Sequence, residues 1–394
     1  QSILYAGLAA LVTGFLYQAI PWLTPPAGRR LQVFGFVALV VGGIAAWRAF
    51  YAWFFHQPAF QHRVLVVGDG AASRSLVSEL HAAASAERAN PFRGTGYRVV
   101  GFVANGSDPL DDTSVGAPML SPEQDFVHMA RRLGVDEIIV TDEYGLSPSL
   151  REAIMDCREL GLPVTPLSAA YERLTARLPV EYASQDLSIV GGAAESPAAR
   201  LYLAGKRVID ILIALAGIAV VAILSPWVVL GNVLTSPGPL FYRQHRVGQG
   251  GRPFVLVKFR TMIPQAEGEV GAKWAADDDQ RVTPMGRWLR RMRLDEFPQF
   301  INVLRGEMSV VGPRPERPQF VGELCRTLPL YRARHAVPPG ITGWAQVRYD
   351  YGNSVEDART KLEYDLYYIK HAGFYLDLLV FLQTIPVMLQ SKGL

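Results

Sequence analysis

Hydrophobic positions along the chain fall into three patterns, and each predicts a different kind of element. Residues 2–23 are almost wholly apolar, with Gln18 the single strongly polar side chain. Residues 31–55 form a second such run, which ends in an aromatic stretch that includes Trp47, Phe50, Tyr51 and Trp53. About 20 apolar residues span a bilayer, and aromatic side chains gather at its interfaces. With the short turn Pro21–Arg30 between them, the two runs predict a transmembrane helical hairpin over 1–58. A buried helix pair in a soluble core is the blander reading, and the length of the runs argues against it. The first run lacks a basic leader and a cleavage site, so it reads as a span rather than a signal peptide. Arg48, His56, His62 and Arg63 at the far end of the hairpin lean toward a cytoplasmic position for the next domain.

Residues 59–170 change to short β-branched runs alternating with helix-like segments. Arg63–Gly68, Tyr97–Val103, Glu137–Thr141 and Val164–Leu167 read as strands. Residues 71–88, Ser121–Leu133 and Ser147–Leu160 read as helices, the last stopped by Gly161 and Pro163. Such alternation predicts a parallel sheet with helices on its faces, a Rossmann-like domain. Gly68-Asp69-Gly70 comes directly after the first strand, but Ser73 stands where a dinucleotide fingerprint has its third glycine. No acid stands at the ribose-binding distance, so a plain strand-to-helix turn explains the glycines equally well. Residues 171–200 read as a linker, with an extra strand at Asp186–Val190.

The third apolar segment, 208–234, is interrupted by Ser225-Pro226. Its first arm, Ile211–Leu224, reaches only ~21 Å, too short to cross. Lys206 and Arg207 precede the segment, and Arg243 and Arg246 come after it. Cations at both ends put both ends on one side of a membrane. A helix-break-helix that dips into one leaflet and returns is the economical reading, with one kinked span as the alternative. Beyond it, Phe241–Val247 and Pro253–Arg260 predict a hairpin around Gly248–Gly251. Arg287–Met292 is a basic amphipathic stretch, Glu356–Lys370 a helix, and Phe374–Leu389 an interfacial helix.

Composition adds little beyond this. Hydrophobic residues make up 49% of the 394, and the excess lies in the three apolar segments. A net charge of +3 argues against a nucleic-acid partner. Cys157 and Cys325 have neither metal-ligand nor disulfide spacing, which points to a reducing compartment for the polar parts.

Four charged clusters could carry chemistry. Lys206-Arg207-Val208-Ile209-Asp210 stands at the mouth of the third apolar segment, where it would suit a lipid phosphate or simple anchoring to anionic lipid. Lys258 and Arg260 share a strand face by spacing, so both could grip one diphosphate; a solvated edge strand is the alternative. Asp295-Glu296 precedes Pro298, a common arrangement for a helix N-cap. The same pair could let one carboxylate attack while the other holds a divalent metal. Arg314 lies between Pro313 and Pro315, which preorganises a phosphate clamp.

These motifs, with Gly306–Ser309 and Pro339–Gln346, stand in the order and spacing of the bacterial sugar transferases, which the chain resembles. These are the monotopic polyprenyl-phosphate phosphoglycosyl transferases. The resemblance covers 201–394, and the upstream hairpin and Rossmann-like module look like the long, exopolysaccharide-type form. It implies an α/β membrane protein with a mainly helical transferase domain, a re-entrant helix at 208–234 broken at Ser225-Pro226, and a small β-hairpin. It implies that Asp295 is the nucleophile, with Glu296 as ligand of Mg²⁺ or Mn²⁺. Lys258, Arg260 and Arg314 are then phosphate-binding groups, and Lys206, Arg207 and Asp210 the lipid-phosphate and structural cluster. The implied reaction moves a sugar-1-phosphate from a nucleotide-sugar, by default a UDP-sugar, onto undecaprenyl phosphate. The implied place is the cytoplasmic face of the bacterial inner membrane, and a Rossmann-like module there is in keeping with a homodimer. Two positions depart from the pattern: Phe297 stands for the usual Leu, and Arg348-Tyr349-Asp350 for the usual Asn-Gly-Arg.

Two other classes fit less well. A membrane-anchored sugar-nucleotide dehydratase or epimerase needs a Tyr-x-x-x-Lys pair, and Tyr367 and Lys370 are one residue short of it. A membrane-tethered nucleotide sensor would leave the Asp-Glu pair and the cationic motifs without a purpose.

Overall fold

The computed structural model describes residues 62–68, 97–104, 118–120, 126–141, 146–180, 196–263, 281–328, 330–349 and 354–389, with scattered positions between 35 and 50. It divides into two compact units, Gln1–Ala170 and Tyr171–Leu394. The first predicted span and its turn lie outside the described residues. In the second span Gly35, Leu39, Trp47 and Phe50 are helical.

The first unit is built on a five-stranded parallel sheet, order β3-β2-β1-β4-β5. The strands are β1 (His62–Gly68), β2 (Tyr97–Ala104), β3 (Met119–Leu120), β4 (Glu137–Val140) and β5 (Val164–Pro166). Val64–Val67 and Ile138–Ile139 are completely buried, as a parallel sheet covered on both faces requires. Helix α1 (Phe126–Arg132) and α2 (Pro148–Glu159) supply apolar faces, and Leu65, Met129, Ile138 and Ile154 share one core. The Ser147 hydroxyl accepts from the Leu150 amide to cap α2, with Pro148 in the first turn. Gly68 ends β1 at φ +129°, and a Cβ there would collide with the Thr141 hydroxyl. The rest of the glycine motif, the 71–88 helix and the 186–190 strand lie outside the described residues.

The second unit opens with the end of α3 (Leu167–Thr175) and contains the long helix α4 (Pro197–Thr235). Residues read as linker are in part structural here. The Ala176 carbonyl accepts from the Trp344 indole, and Leu178 and Val180 join a core with Leu324, Leu362 and Leu366. Apolar side chains at 178 and 180 explain why this stretch packs.

Among the described residues α4 alone is long and apolar enough to cross a membrane. It remains helical through Ser225-Pro226, so the predicted interruption is not a gap in the helix. The Ser225 hydroxyl donates to the Val221 carbonyl at 2.7 Å. That bond and the missing amide of Pro226 are both bending features rather than full breaks. One stripe of α4 lies on the unit, where Gly217 lets it approach Phe300 closely. The other stripe leaves Leu212, Ile223, Trp227 and Val233 exposed.

The hairpin forms as expected, with β6 (Phe241–Val247) antiparallel to β7 (Pro253–Phe259). Next come α5 (Pro284–Arg291), a 3-10 turn (Leu294–Gln299) and α6 (Phe300–Arg305). Strand β8 (Ser309–Val311) pairs in parallel with β9 (Gly340–Thr342). The helices are α7 (Pro318–Thr327), α8 (Trp344–Arg348), α9 (Val355–Lys370) and α10 (Phe374–Leu389). Between the helices, β8, β9 and the 3-10 turns are short, so these segments are held largely by side chains bonding to backbone rather than by ladders.

Candidate active site

The site grows from three short segments brought together by buried polar side chains. Strand β7 buries Phe254, Leu256, Val257 and Phe259 and leaves Lys258 at the surface of the core. Asn302 on α6 is fully buried; its amide accepts from the Val257 amide and donates to the Val255 carbonyl and to Glu307. One side chain thus replaces a strand neighbour and fixes α6 against β7. Directly before the 3-10 turn, Arg293 turns the chain at φ +56°, in the left-handed region unusual for a non-glycine residue. Asp295 and Glu296 occupy the first turn after it. Asp295 therefore lies inside the turn and is not its N-cap, a place held by Arg293.

Glu296 is the meeting point. Its Oε1 accepts from Lys258 Nζ at 2.9 Å and from Arg314 Nη2 at 2.7 Å, with the carboxylate side chain 13% exposed. Burial pushes the Glu296 carboxyl up, but the charges and hydrogen bonds of Arg314 and Lys258 outweigh this and hold it well below its ordinary range. Asp295 moves the other way: burial raises its carboxyl, and the neighbouring Glu296 charge raises it further against the pull of Lys258, Arg290 and Arg314. One carboxylate is thus firmly ionised and the other is made more basic, the division of labour expected of a support and a nucleophile. Lys258, Arg290 and Arg314 outnumber the two carboxylates, so the cluster suits an anionic ligand.

Arg314 is presented by a rigid loop. Pro313 and Pro315 fix the backbone on either side. The Pro313 carbonyl accepts from the Gly340 amide, the Arg314 carbonyl from Arg334, and the Pro315 carbonyl from Arg246.

Four other candidate site residues make bonds that hold the unit together. Arg260 is buried; its fork donates to the carbonyls of Pro239, Ser236 and Met262 and to the Ser236 hydroxyl. It ties the end of α4 to the hairpin, and its fork is occupied by these acceptors rather than set beside Lys258. The reason is that β7 ends at Phe259, so strand alternation does not extend to residue 260. Lys206 donates to Asp377 and to the Val311 carbonyl. Arg207 caps α6 through the carbonyls of Val303 and Leu304, and Asp210 accepts from the Val310 amide. All three fasten α4 to the unit, the structural half of their expected role. Ser225 and Pro226 lie within α4, between Val221 and Val228, which share a core with Leu294 and Phe297 of the turn.

Sequence reasoning missed Asn302, Arg290 and the buried Arg334–Asp365 pair at 2.8 Å. Their signal was faint: a polar residue on an otherwise apolar helix face, as in the Phe300–Leu304 and Leu362–Ile369 stretches.

Two adjacent carboxylates are hard oxygen donors of the kind that hold Mg²⁺. Among the described residues no group of three or more His, Cys, Asp or Glu side chains forms a fuller cage. A divalent ion here would share its coordination with ligand oxygens, as Mg²⁺ commonly does.

Among the described residues, one unit thus carries both a long apolar helix and an Asp-Glu pair whose Glu296 is held by Lys258 and by Arg314 of a rigid loop, an arrangement in keeping with group transfer at a membrane. The bacterial sugar transferase family matches residues 201–391. Over 190 residues the chain is 42% identical to a UDP-glucose:undecaprenyl-phosphate glucose-1-phosphate transferase of Caulobacter vibrioides, covering 48% of this chain and 71% of that relative. Over 240 residues it is 40% identical to a UDP-N-acetylgalactosamine-undecaprenyl-phosphate N-acetylgalactosaminephosphotransferase of Aeromonas hydrophila, covering 60% of this chain and 55% of the relative. Over 182 residues it is 40% identical to a UDP-glucose:undecaprenyl-phosphate glucose-1-phosphate transferase of Xanthomonas campestris pv. campestris, covering 44% and 38%. The chain thus spans about half or less of two of these relatives. It belongs to the bacterial sugar transferase family.

Proposed function

We propose that this protein transfers a sugar-1-phosphate from a UDP-sugar to undecaprenyl phosphate through a covalent intermediate on Asp295. The observation that carries the reading is the pair of cations, Lys258 and Arg314, converging on Glu296 beside the raised carboxyl of Asp295. In the first half-reaction an Asp295 oxygen attacks the phosphorus that bears the sugar. The bond from that phosphorus to the bridging oxygen breaks, and UMP leaves with the electron pair. In the second, an oxygen of the polyprenyl phosphate attacks the same phosphorus and the Asp295 carboxylate is released. Lys258 and Arg314 take the diphosphate's negative charge, and their position before substrate arrives is what makes them effective.

Mg²⁺, or Mn²⁺, would be held by Glu296 with the donor's phosphate oxygens, and it supplies charge neutralisation there. Ionised Glu296 has the low carboxyl such a ligand needs.

The acceptor's tail stays in lipid while its phosphate lies at headgroup level, so the site belongs at the leaflet surface. Helix α4 supports this: its N-terminal part is bonded to Val303, Val311 and Asp377, its C-terminal end to Arg260, all in the same unit. A helix fastened at both ends to one polar unit, and carrying the bending pair Ser225-Pro226 within it, is read as entering one leaflet and returning. The exposed apolar stripe then faces lipid, and the unit lies on the cytoplasmic side of the inner membrane. The homodimer remains part of the same reading, as does initiation of exopolysaccharide synthesis.

The test is to incubate the full chain with UDP-sugars and no acceptor. A ping-pong enzyme releases UMP up to about one equivalent per site and then stops; release that needs acceptor from the outset rejects the covalent route.

A further inference from the structure

The Arg314 loop is held from behind by a charged group that the reaction itself does not use. Between Pro313 and Pro315 the chain has few backbone amides to offer, because proline has none. The residue before a proline is confined to extended conformations, so the placement of Arg314 depends on how the peptide planes around it are anchored. Arg334 anchors the plane that carries the Arg314 carbonyl: Nη2 donates to it at 2.9 Å. The same guanidinium donates from Nη1 to the Tyr331 hydroxyl at 2.6 Å and pairs with Asp365 at 2.8 Å. Arg334 and the Asp365 side chain are 8% and 2% exposed.

Burying such a pair is a poor route to stability, since well-packed apolar residues do as well or better. It is a good route to direction, because a planar fork held by two hydrogen bonds and an ion pair has few orientations open to it. Tyr331 and Arg334 sit on one 3-10 turn, Tyr331–Ala336, which comes after Leu330 at φ +59°. Asp365 reaches the pair from α9.

We propose that Arg334, oriented by Asp365 and Tyr331, is a positioning residue that aims Arg314 at the donor's diphosphate. This rests on the proposed role of Arg314 as a phosphate-binding group. Arg334 never touches substrate; its effect passes through the Arg314 backbone.

The experiment is a double-mutant cycle on the full chain in detergent or nanodiscs, reading UMP release and the KM of each substrate. Arg334→Lys keeps a charge beside Asp365 but loses the fork. It is expected to lower kcat/KM for the UDP-sugar by about 10- to 100-fold, the scale of a small misplacement, with the undecaprenyl phosphate KM unchanged. Arg314→Ala is expected to cost about 100-fold or more. In the Arg314→Ala background, Arg334→Lys should then cost less than about twofold, because the residues act as one unit. Tyr331→Phe serves if Arg334→Lys does not fold; it is expected to cost about threefold or more alone and nothing measurable beside Arg314→Ala. Equal fold-losses in both backgrounds, or no loss from Arg334→Lys and Tyr331→Phe, would overturn the positioning role while leaving the Arg314 reading intact. Full activity of Arg314→Ala would instead overturn the Arg314 reading itself.

Discussion

The two units use buried polarity in opposite ways. In the first, a parallel sheet satisfies its own backbone and the centres of the core strands are apolar, with Glu137 the main buried charge among that unit's described residues. In the second, strands of three residues and 3-10 turns leave backbone groups that a ladder would have paired. Asp210, Arg260, Asn302 and Arg334 pair them instead, all buried. A regular sheet gives stability with little constraint on any single side chain. A loop scaffold bonded atom by atom gives direction, which a phosphoryl-transfer site needs most. The contrast points to the second unit for chemistry and sets its ion-paired site groups apart from buried struts such as Asp210, Arg260 and Arg334.

Four substitutions sharpen or break that contrast, in falling order of effect. Asp295→Asn removes the attacking oxygen with little change of shape, and UMP release is expected to fall by more than about a thousandfold. A residual rate within tenfold of wild type, with deamidation excluded by peptide mass, would put the nucleophile elsewhere. Glu296→Gln is expected to cost about 100-fold. It should also move the acid limb of kcat/KM. The Asp295 carboxyl is raised by burial and by the Glu296 charge, so wild-type activity falls as pH drops through a value above the ordinary carboxylate range. Without that charge the carboxyl titrates lower, and the limb should shift to lower pH; an unmoved limb would detach it from Asp295.

Arg260→Met separates strut from ligand. Losing its bonds to Ser236, Pro239 and Met262 should cost about 2–3 kcal/mol of stability, with the UDP-sugar KM of the folded protein unchanged. A raised KM at unchanged thermal stability would return Arg260 to the phosphate site. Ile138→Val in the fully buried centre of the first sheet should cost about 1 kcal/mol and leave UMP release untouched. A large kinetic effect there would erase the division between the units.

Legibility in the sequence divides along the same line. Strands β1, β2, β4 and β5 were readable nearly to the residue because β-branched runs and turn residues mark their ends. Helix α2 was readable from Ser147, Pro148 and Gly161. Strands β3, β8 and β9 are too short to show any period. Lys258, Glu296 and Arg314 come together in one ion-paired cluster, yet the motif alone could not tell them from Lys206, Arg207, Asp210 and Arg260, which are equally charged. Only packing separates the groups: the strand stops at Phe259, and the helix places its cations against carbonyls of α6 and β8. Arg334 and Asp365 were invisible for a related reason, since they are close in space and 31 positions apart in the chain.

The most direct test of the account is the mass of the protein itself. After a short incubation with a UDP-sugar and no acceptor, the chain should gain the mass of one sugar phosphate, carried on the peptide containing Leu294–Gln299. Adding undecaprenyl phosphate should discharge it. An adduct on another peptide, or UMP release with no adduct in a chain rapidly quenched, would contradict the aspartyl route.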